Sequence, residues 1–247
     1  MKTSIRLLTI ILLVMASSHP VVAAATTRDI LRQADQSRGN LEGITWEVLL
    51  TSIKKKRTET MSFEVKARGF DILATTLSPP KSQGNRVLMI NGNMWFHKPR
   101  LSKPVPISQR QKLLGQAAYG DIASTNYAED YDATLLAEER VDDELCYVFD
   151  LQAKDKKATY DQIKYWISKD RLVGVKAEYF TVSGKKFKSA TMVYAHEVTI
   201  EEAKRPFVSA IRIQDELIAD AVTTLSFEAP RFEDLPNYVF NLNLFVR

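Results

Sequence analysis

The chain has one cysteine in 247 residues, which excludes an intramolecular disulfide and any zinc site built on thiolates. Histidine is nearly as scarce, at three. His97 and His196 fall in separate alternating runs with no second ligand at coordinating spacing, so no metal is expected. Nine glycines and nine prolines are too few for a collagen-like or low-complexity chain. Charge of one sign is also lacking, with 34 basic against 30 acidic residues. Without a concentrated basic face, nothing argues for nucleic acid as a partner. The densest basic run, Lys54-Lys55-Lys56-Arg57, reads as a solvated strand end or turn. Catalytic patterns are missing too: no Gly-x-Ser-x-Gly, no phosphate-binding glycine loop and no His-Glu-x-x-His. The acid clusters Glu138-Glu139 and Asp142-Asp143-Glu144 flank one turn and read as solvated charge. Cys146, in the alternating run LCYVFDL, reads as a small core residue. No catalytic residue and no cofactor is implied, and no enzyme is expected.

The only long apolar run stands at the start. Lys2 and Arg6 precede Leu7 to Met15, and small residues follow up to Ala23-Ala24-Ala25. This is the three-part pattern of a secretory signal peptide over residues 1–25, and its apolar part is too short to span a bilayer. Cleavage leaves residues 26–247, with a nearly balanced charge and no cysteine near the cleavage region to lipidate. An exported, periplasmic protein is expected.

The remainder has ample material for a core, being 45% hydrophobic. Thr26 or Thr27 can cap an opening helix, with Asp29 in its first turn and Ile30, Leu31 and Ala34 on its apolar face. Alternating runs then dominate. Trp46, Val48 and Leu50 mark one strand, and Met61, Phe63 and Val65 the next. RVLMI and MWFH flank Asn91-Gly92, the strongest short hairpin signal, because both turn residues need positive φ. Pro99, Pro104 and Pro106 break the pattern and forbid a central strand there. Leu113, Leu114, Ala117, Ala118 and Ile122 then recur at roughly helical spacing, which predicts one or two short helices. Strands resume near Tyr131 and continue almost to the end, and the apolar tail LPNYVFNLNLFV must be covered. One curved antiparallel sheet without an internal linker or repeat accounts for this order. Large side chains on its strands (Trp46, Met61, Phe63, Met89, Trp95, Tyr165) either line a cavity or form a packed core.

Four stretches together resemble a known family: SPPKSQG with RVLMINGNMWFHKPRL, KLLGQAAYGDIASTNYAEDYDA, IKYWISKDRLVGVKAEYFTVSGKKFKSATM, and DLPNYVFNLNL. They are similar to the outer membrane lipoprotein-sorting proteins, the LolA/LolB-like superfamily of lipoprotein carriers. The resemblance implies a mainly β (α+β) fold: an incomplete antiparallel β-barrel whose open side is covered by helices acting as a lid. It implies binding of lipid acyl chains, or of the acylated N-terminus of lipoproteins, in an apolar cavity. Met89, Met94, Trp95 and Phe96 match the family's aromatic hairpin, and with the strand residues Trp46, Val48, Met61, Phe63, Val65 and Tyr165 they are the candidate cavity residues. Leu113, Leu114, Ala117, Ala118 and Ile122 match the lid. Strand pleating places Trp95 on the opposite face from Met94 and Phe96. The implied partners are an inner-membrane donor complex and an outer-membrane acceptor, with a monomeric carrier between them. Two other functions compete: an interaction module that recruits protein partners through an open sheet edge, and a lipid hydrolase, which needs a polar cluster inside the cavity.

Overall fold

Thr26 caps the first helix. Its Oγ1 accepts from the Asp29 N–H at 3.2 Å, and the Asp29 carboxylate accepts from the Thr26 N–H at 3.2 Å, a reciprocal box that satisfies two orphan donors. The helix, α1 (Thr27–Gln36), buries Ile30, Leu31, Ala34 and Asp35. The structure is a computed structural model that describes residues 25–123, 125–200 and 202–245. Apart from Ala25, the expected signal peptide lies outside the described residues. Among those residues no helix is long and apolar enough to cross a membrane.

Five strands follow α1: β1 (Ile44–Lys54), β2 (Arg57–Arg68), β3 (Asp71–Ser78), β4 (Arg86–Ile90) and β5 (Asn93–His97). The β4–β5 turn is built as its sequence requires, with Asn91 at φ 50° and Gly92 at φ 72°. The proline-rich stretch still contributes a strand, β6 (Val105–Ile107), but at the margin of the sheet, where Pro106 need not serve a second neighbour. A small hairpin follows, β7 (Lys112–Leu114) and β8 (Ala117–Ala118), then a 3₁₀ turn (Tyr119–Ile122) and the short helix α2 (Tyr127–Asp130). The second half holds β9 (Tyr131–Val141), β10 (Glu144–Ala153), β11 (Gln162–Ser168), β12 (Gly174–Phe180), β13 (Lys186–Val193), β14 (His196–Ile200), β15 (Ala203–Phe207), β16 (Ala210–Asp215) and β17 (Val222–Phe232).

Thirteen of these strands form one antiparallel sheet in the order β6-β5-β4-β3-β2-β1-β17-β16-β13-β12-β11-β10-β9. The first and last strands are neighbours at its centre, with Val48 opposite Phe227 and Leu50 opposite Leu225. From there each half of the chain runs outward to a free margin, β6 on one side and β9 on the other. The sheet curves without closing into a barrel, as the resemblance implies.

Alternation along the strands gives each face its own core. On the concave face a row runs from Met61 through Leu50, Leu225 and Ile211 to Met192. A second row runs from Thr223 through Ile213, Ala190, Ala177 and Tyr165 to Phe149. On the other face, Leu88 and Trp95 pack against the C-terminal tail through Leu235, Phe240 and Phe245. The tail is held there by Arg68, which donates to the Leu235 carbonyl at 2.8 Å and stacks over Phe240.

Candidate functional site

The segment between β6 and β9 covers the concave face. Its hairpin, β7–β8, forms a two-stranded sheet of its own and takes no part in the large ladder. The sequence pattern predicts helix across Leu113, Leu114, Ala117 and Ala118, and this expectation is corrected. These residues are extended, because Gly115 turns the chain at φ 55° and Gln109 and Gln111 accept the backbone N–H groups of Gly120 and Tyr119. Only Ile122 of the five lies in a helical turn. Ala117, Ala118 and Ile122 are buried, while Leu113 and Leu114 pack against the main core half-buried. The stretch is a plug, made of a hairpin and two short helical turns.

Polar side chains tie the plug to the sheet. Its tip sits against β1 and β17, where the Gln116 N–H donates to Thr223 Oγ1 at 2.8 Å. A Cβ on Gly115 would stand 2.1 Å from Ser52 Oγ and 2.2 Å from Thr223 Oγ1, so only glycine permits this approach. Lys188, inward-facing on β13, donates from Nζ to the Gln116 carbonyl and to Tyr160 Oη, each at 2.7 Å. Tyr160 in turn donates to Asp121 Oδ1 at 2.7 Å, and Asp121 Oδ2 accepts the Ala118 N–H at 2.7 Å. Lys188 Nζ is 3.7 Å from Asp121 Oδ2, with both side chains 8% exposed. Burial lowers the Lys188 pKa, against the pull of Asp121, and raises that of Tyr160. The α2 end is held by Asp35 of α1, whose Oδ2 accepts the Ala128 N–H at 2.9 Å. Burial pushes the Asp35 carboxyl up to about 7. Outside, Arg28 pairs with Glu129 across the same two helices.

Beneath the plug there is packing rather than open space. Trp46, Val48, Phe63, Val65 and Tyr165 are fully buried in one continuous cluster with Tyr127, Tyr131, Tyr179 and Phe207. Met94 is buried in the same cluster, and Met61 and Phe96 pack against it half-buried. Nine of the ten expected cavity residues thus share the concave face, yet in this conformation the expected cavity around them is filled. The tenth, Trp95, is corrected: pleating turns it to the far face, under the C-terminal tail. Open space lies beside the plug. A cleft of about 570 Å³ is bounded by the β2–β3 turn (Phe70), the β4–β5 turn (Asn91, Gly92), α2 and residues 154–160, with Arg38, Met89, Tyr127 and Tyr131 in its wall. A second groove of about 640 Å³ adjoins it through Gly69, Phe70, Asn126 and Glu129 and runs past Leu41 to Ile200 and Phe232. Met89 alone of the expected cavity residues reaches the cleft.

Several buried charged side chains at the plug and the cleft escaped the sequence reading. Lys188 shares its strand face with Ala190 and Met192, so alternation alone marks it as inward. Asp35 and Arg38 continue the apolar stripe of Leu31 and Ala34 at helical spacing. A charge on an apolar stripe is the signal that could have found all three. His97 and His196 lie apart, each bonded to a backbone carbonyl, Leu101 at 3.0 Å and Phe227 at 2.7 Å. Cys146 is buried beside Val148 and Trp166. Among the described residues no group of three or more metal-ligating side chains occurs.

A family model described as that of an uncharacterized protein matches residues 71–247. A LolA-superfamily protein from Nitrosomonas europaea superimposes with a TM-score of 0.79 at 29% identity, over 88% of this chain and 98% of its own. The chain belongs to the family that the matching model describes, and its fold is that of the LolA superfamily. Two further LolA-like folds align closely. One is an outer membrane lipoprotein-sorting protein domain from Vibrio parahaemolyticus (TM-score 0.75, 18% identity, 89% of this chain and 98% of that one). The other is a DUF1329-family protein from Desulfovibrio piger (0.72, 20%, 87% and 96%). No curated protein matches the sequence. The LolA-like chain described here keeps the open sheet and covers it with the plug.

Proposed function

We propose that this protein is a non-enzymatic periplasmic carrier that takes lipid acyl chains, or the acylated end of a lipoprotein, onto its concave face when the plug moves aside. The observation that carries this reading is the way the plug is attached. An apolar concave face wide enough for acyl chains is covered by a segment outside the sheet ladder, joined to the large sheet mainly by side-chain hydrogen bonds. The plug can leave without breaking a strand pair. Its removal would uncover Phe96, which packs on Tyr119, and the inward face of β2 at Met61 and Phe63, against which β7 lies. Trp46 stays under Gly39 and Phe207.

The energetics suit reversible carriage. A chain of about 15 methylenes gains on the order of 12 kcal/mol on leaving water. Re-covering the empty face with Leu113, Leu114 and Ile122 returns part of that gain, so the closed plug competes with cargo and favours release. No nucleotide is needed at this protein. A donor complex in the inner membrane and an acceptor at the outer membrane fit such a cycle, and the likeness to the lipoprotein-sorting domain from Vibrio supports the same class of cargo.

Native mass spectrometry of the mature protein, purified gently from periplasm and membranes with lipid extraction alongside, tests the reading. A discrete bound mass that extracts as lipid is the expected result. A clean apo mass, with no uptake of a fluorescent acyl probe, would sink it and leave an interaction module with a filled core.

A further inference from the structure

The cleft has a feature that acyl chains alone do not require. Arg38, two residues beyond α1, lines it while being only 7% exposed, and its Nε and Nη1 have no hydrogen-bond partner. A guanidinium keeps its charge when buried, and leaving a buried charge uncompensated is strongly unfavourable. Local compensation is partial and comes from tyrosines: Tyr127 interacts with the guanidinium through its hydroxyl as well as its ring, and Tyr165, Tyr179 and Tyr194 lie around it. The Tyr127 ring lies 5.4 Å from the guanidinium carbon, a contact weaker than an ion pair in an enclosed site. Asp35, three residues back, has one carboxylate oxygen on the Ala128 N–H and the other without a hydrogen bond, and it attracts the guanidinium without pairing to it. Asp121, also in the cleft wall, is held by Lys188 and Tyr160. A planar fork with free donors matches a two-oxygen anion, and Phe70 and Met89 supply apolar wall beside it.

We propose that the cleft binds the anionic headgroup of an amphiphile, a carboxylate or a phosphate, on Arg38, with its chain passing Met89 toward the concave face. This rests on the carrier reading and adds the headgroup class to it. A carrier for neutral lipids would have no use for two buried guanidinium donors without partners at this place.

The test is competition against a neutral fluorescent acyl probe by three ligands of equal chain length: hexadecanoate, hexadecyl phosphate and hexadecanol. The expected result is displacement by both anions at concentrations at least tenfold below that of the alcohol. Arg38→Gln should bring the three together, and Arg38→Lys should restore part of the gap, with thermal melting confirming that each variant folds. The wild-type comparison stands even if a variant does not fold. Hexadecanoate binding better than the phosphate points to free fatty acids, and the reverse to phosphate-bearing lipids. Equal displacement by all three on wild type would overturn the headgroup site and leave the carrier reading intact. A gap that persists in folded Arg38→Gln would also overturn it. Failure to take up the probe or any of the three ligands would overturn both.

Discussion

Asp35, on the side of α1 that faces the core, and Arg38, two residues beyond the end of that helix, raise opposite problems. The arginine keeps its charge, whereas the carboxyl can shed its own by taking a proton. Burial raises the Asp35 pKa from an ordinary 3.8 to about 7, with backbone donors from Tyr127 and Ala128 opposing the shift. A carboxyl whose folded pKa is raised binds its proton more tightly in the native state. Its favourable contribution is therefore complete below about pH 4 and disappears as the pH climbs through 7. Asp35→Asn keeps an oxygen for the Ala128 N–H and removes the titration. Between pH 4 and pH 8 the wild type should lose stability relative to this variant by on the order of 3–4 kcal/mol, read from urea midpoints at several pH values. Parallel pH profiles for the two proteins would show instead that Asp35 stays ionised throughout, as the counter-ion of Arg38.

At the scale of elements, the C-terminal tail is the piece whose role follows most directly from packing. Leu235, Phe240 and Phe245 cover Leu88 and Trp95 on the face away from the plug. Deleting residues 235–247 uncovers that apolar patch. Losing the burial of three large side chains should cost several kcal/mol, on the order of 1.5–3 for each. Trp95 emission should shift to the red, an assignment checked by Trp95→Phe, which removes the shift. The tail also shows which elements the sequence makes legible. The helix cap at Thr26, the Asn91-Gly92 turn and the alternating runs are local signals, each carrying its own geometry. The tail reads as apolar and therefore covered, but which face it covers depends on β3–β5 being folded beneath it. The plug fails for the same reason. Leu113, Leu114, Ala117 and Ala118 have near-helical spacing, yet their conformation is decided by Gly115 meeting Ser52 and Thr223, residues more than sixty and a hundred positions away. The inward set on β1 and β2 is legible from period two alone. Whether it encloses space is not, because side chains from α2 and β11–β12, such as Tyr127, Tyr165 and Tyr179, fill it.

For the whole molecule, the carrier reading proposed above makes the balance between a plug that sits and a plug that leaves the decisive variable. Gly115→Val acts on that balance at one atom. A β-branched side chain at φ 55° is strained by about 1–3 kcal/mol, and its Cβ would collide with the β1 and β17 hydroxyls at just over 2 Å. The hairpin must rise from the sheet, while all thirteen strands keep their partners. Gly184→Val supplies the control, because Gly184 has a similar φ of 77° in the β12–β13 turn and nothing within 4 Å of its added Cβ. Both variants should lose a little stability, but Gly115→Val alone should take up a neutral acyl probe faster than wild type, by tenfold or more if the closed plug limits entry. Lifting the tip also withdraws the Gln116 carbonyl from Lys188, leaving that ammonium with Tyr160 and Asp121. The polar tether is thus loosened but not orphaned, which is why opening is expected rather than unfolding. Equal uptake by wild type and both folded variants would mean that cargo reaches the protein by another route, through the cleft beside Phe70, without the plug having to move.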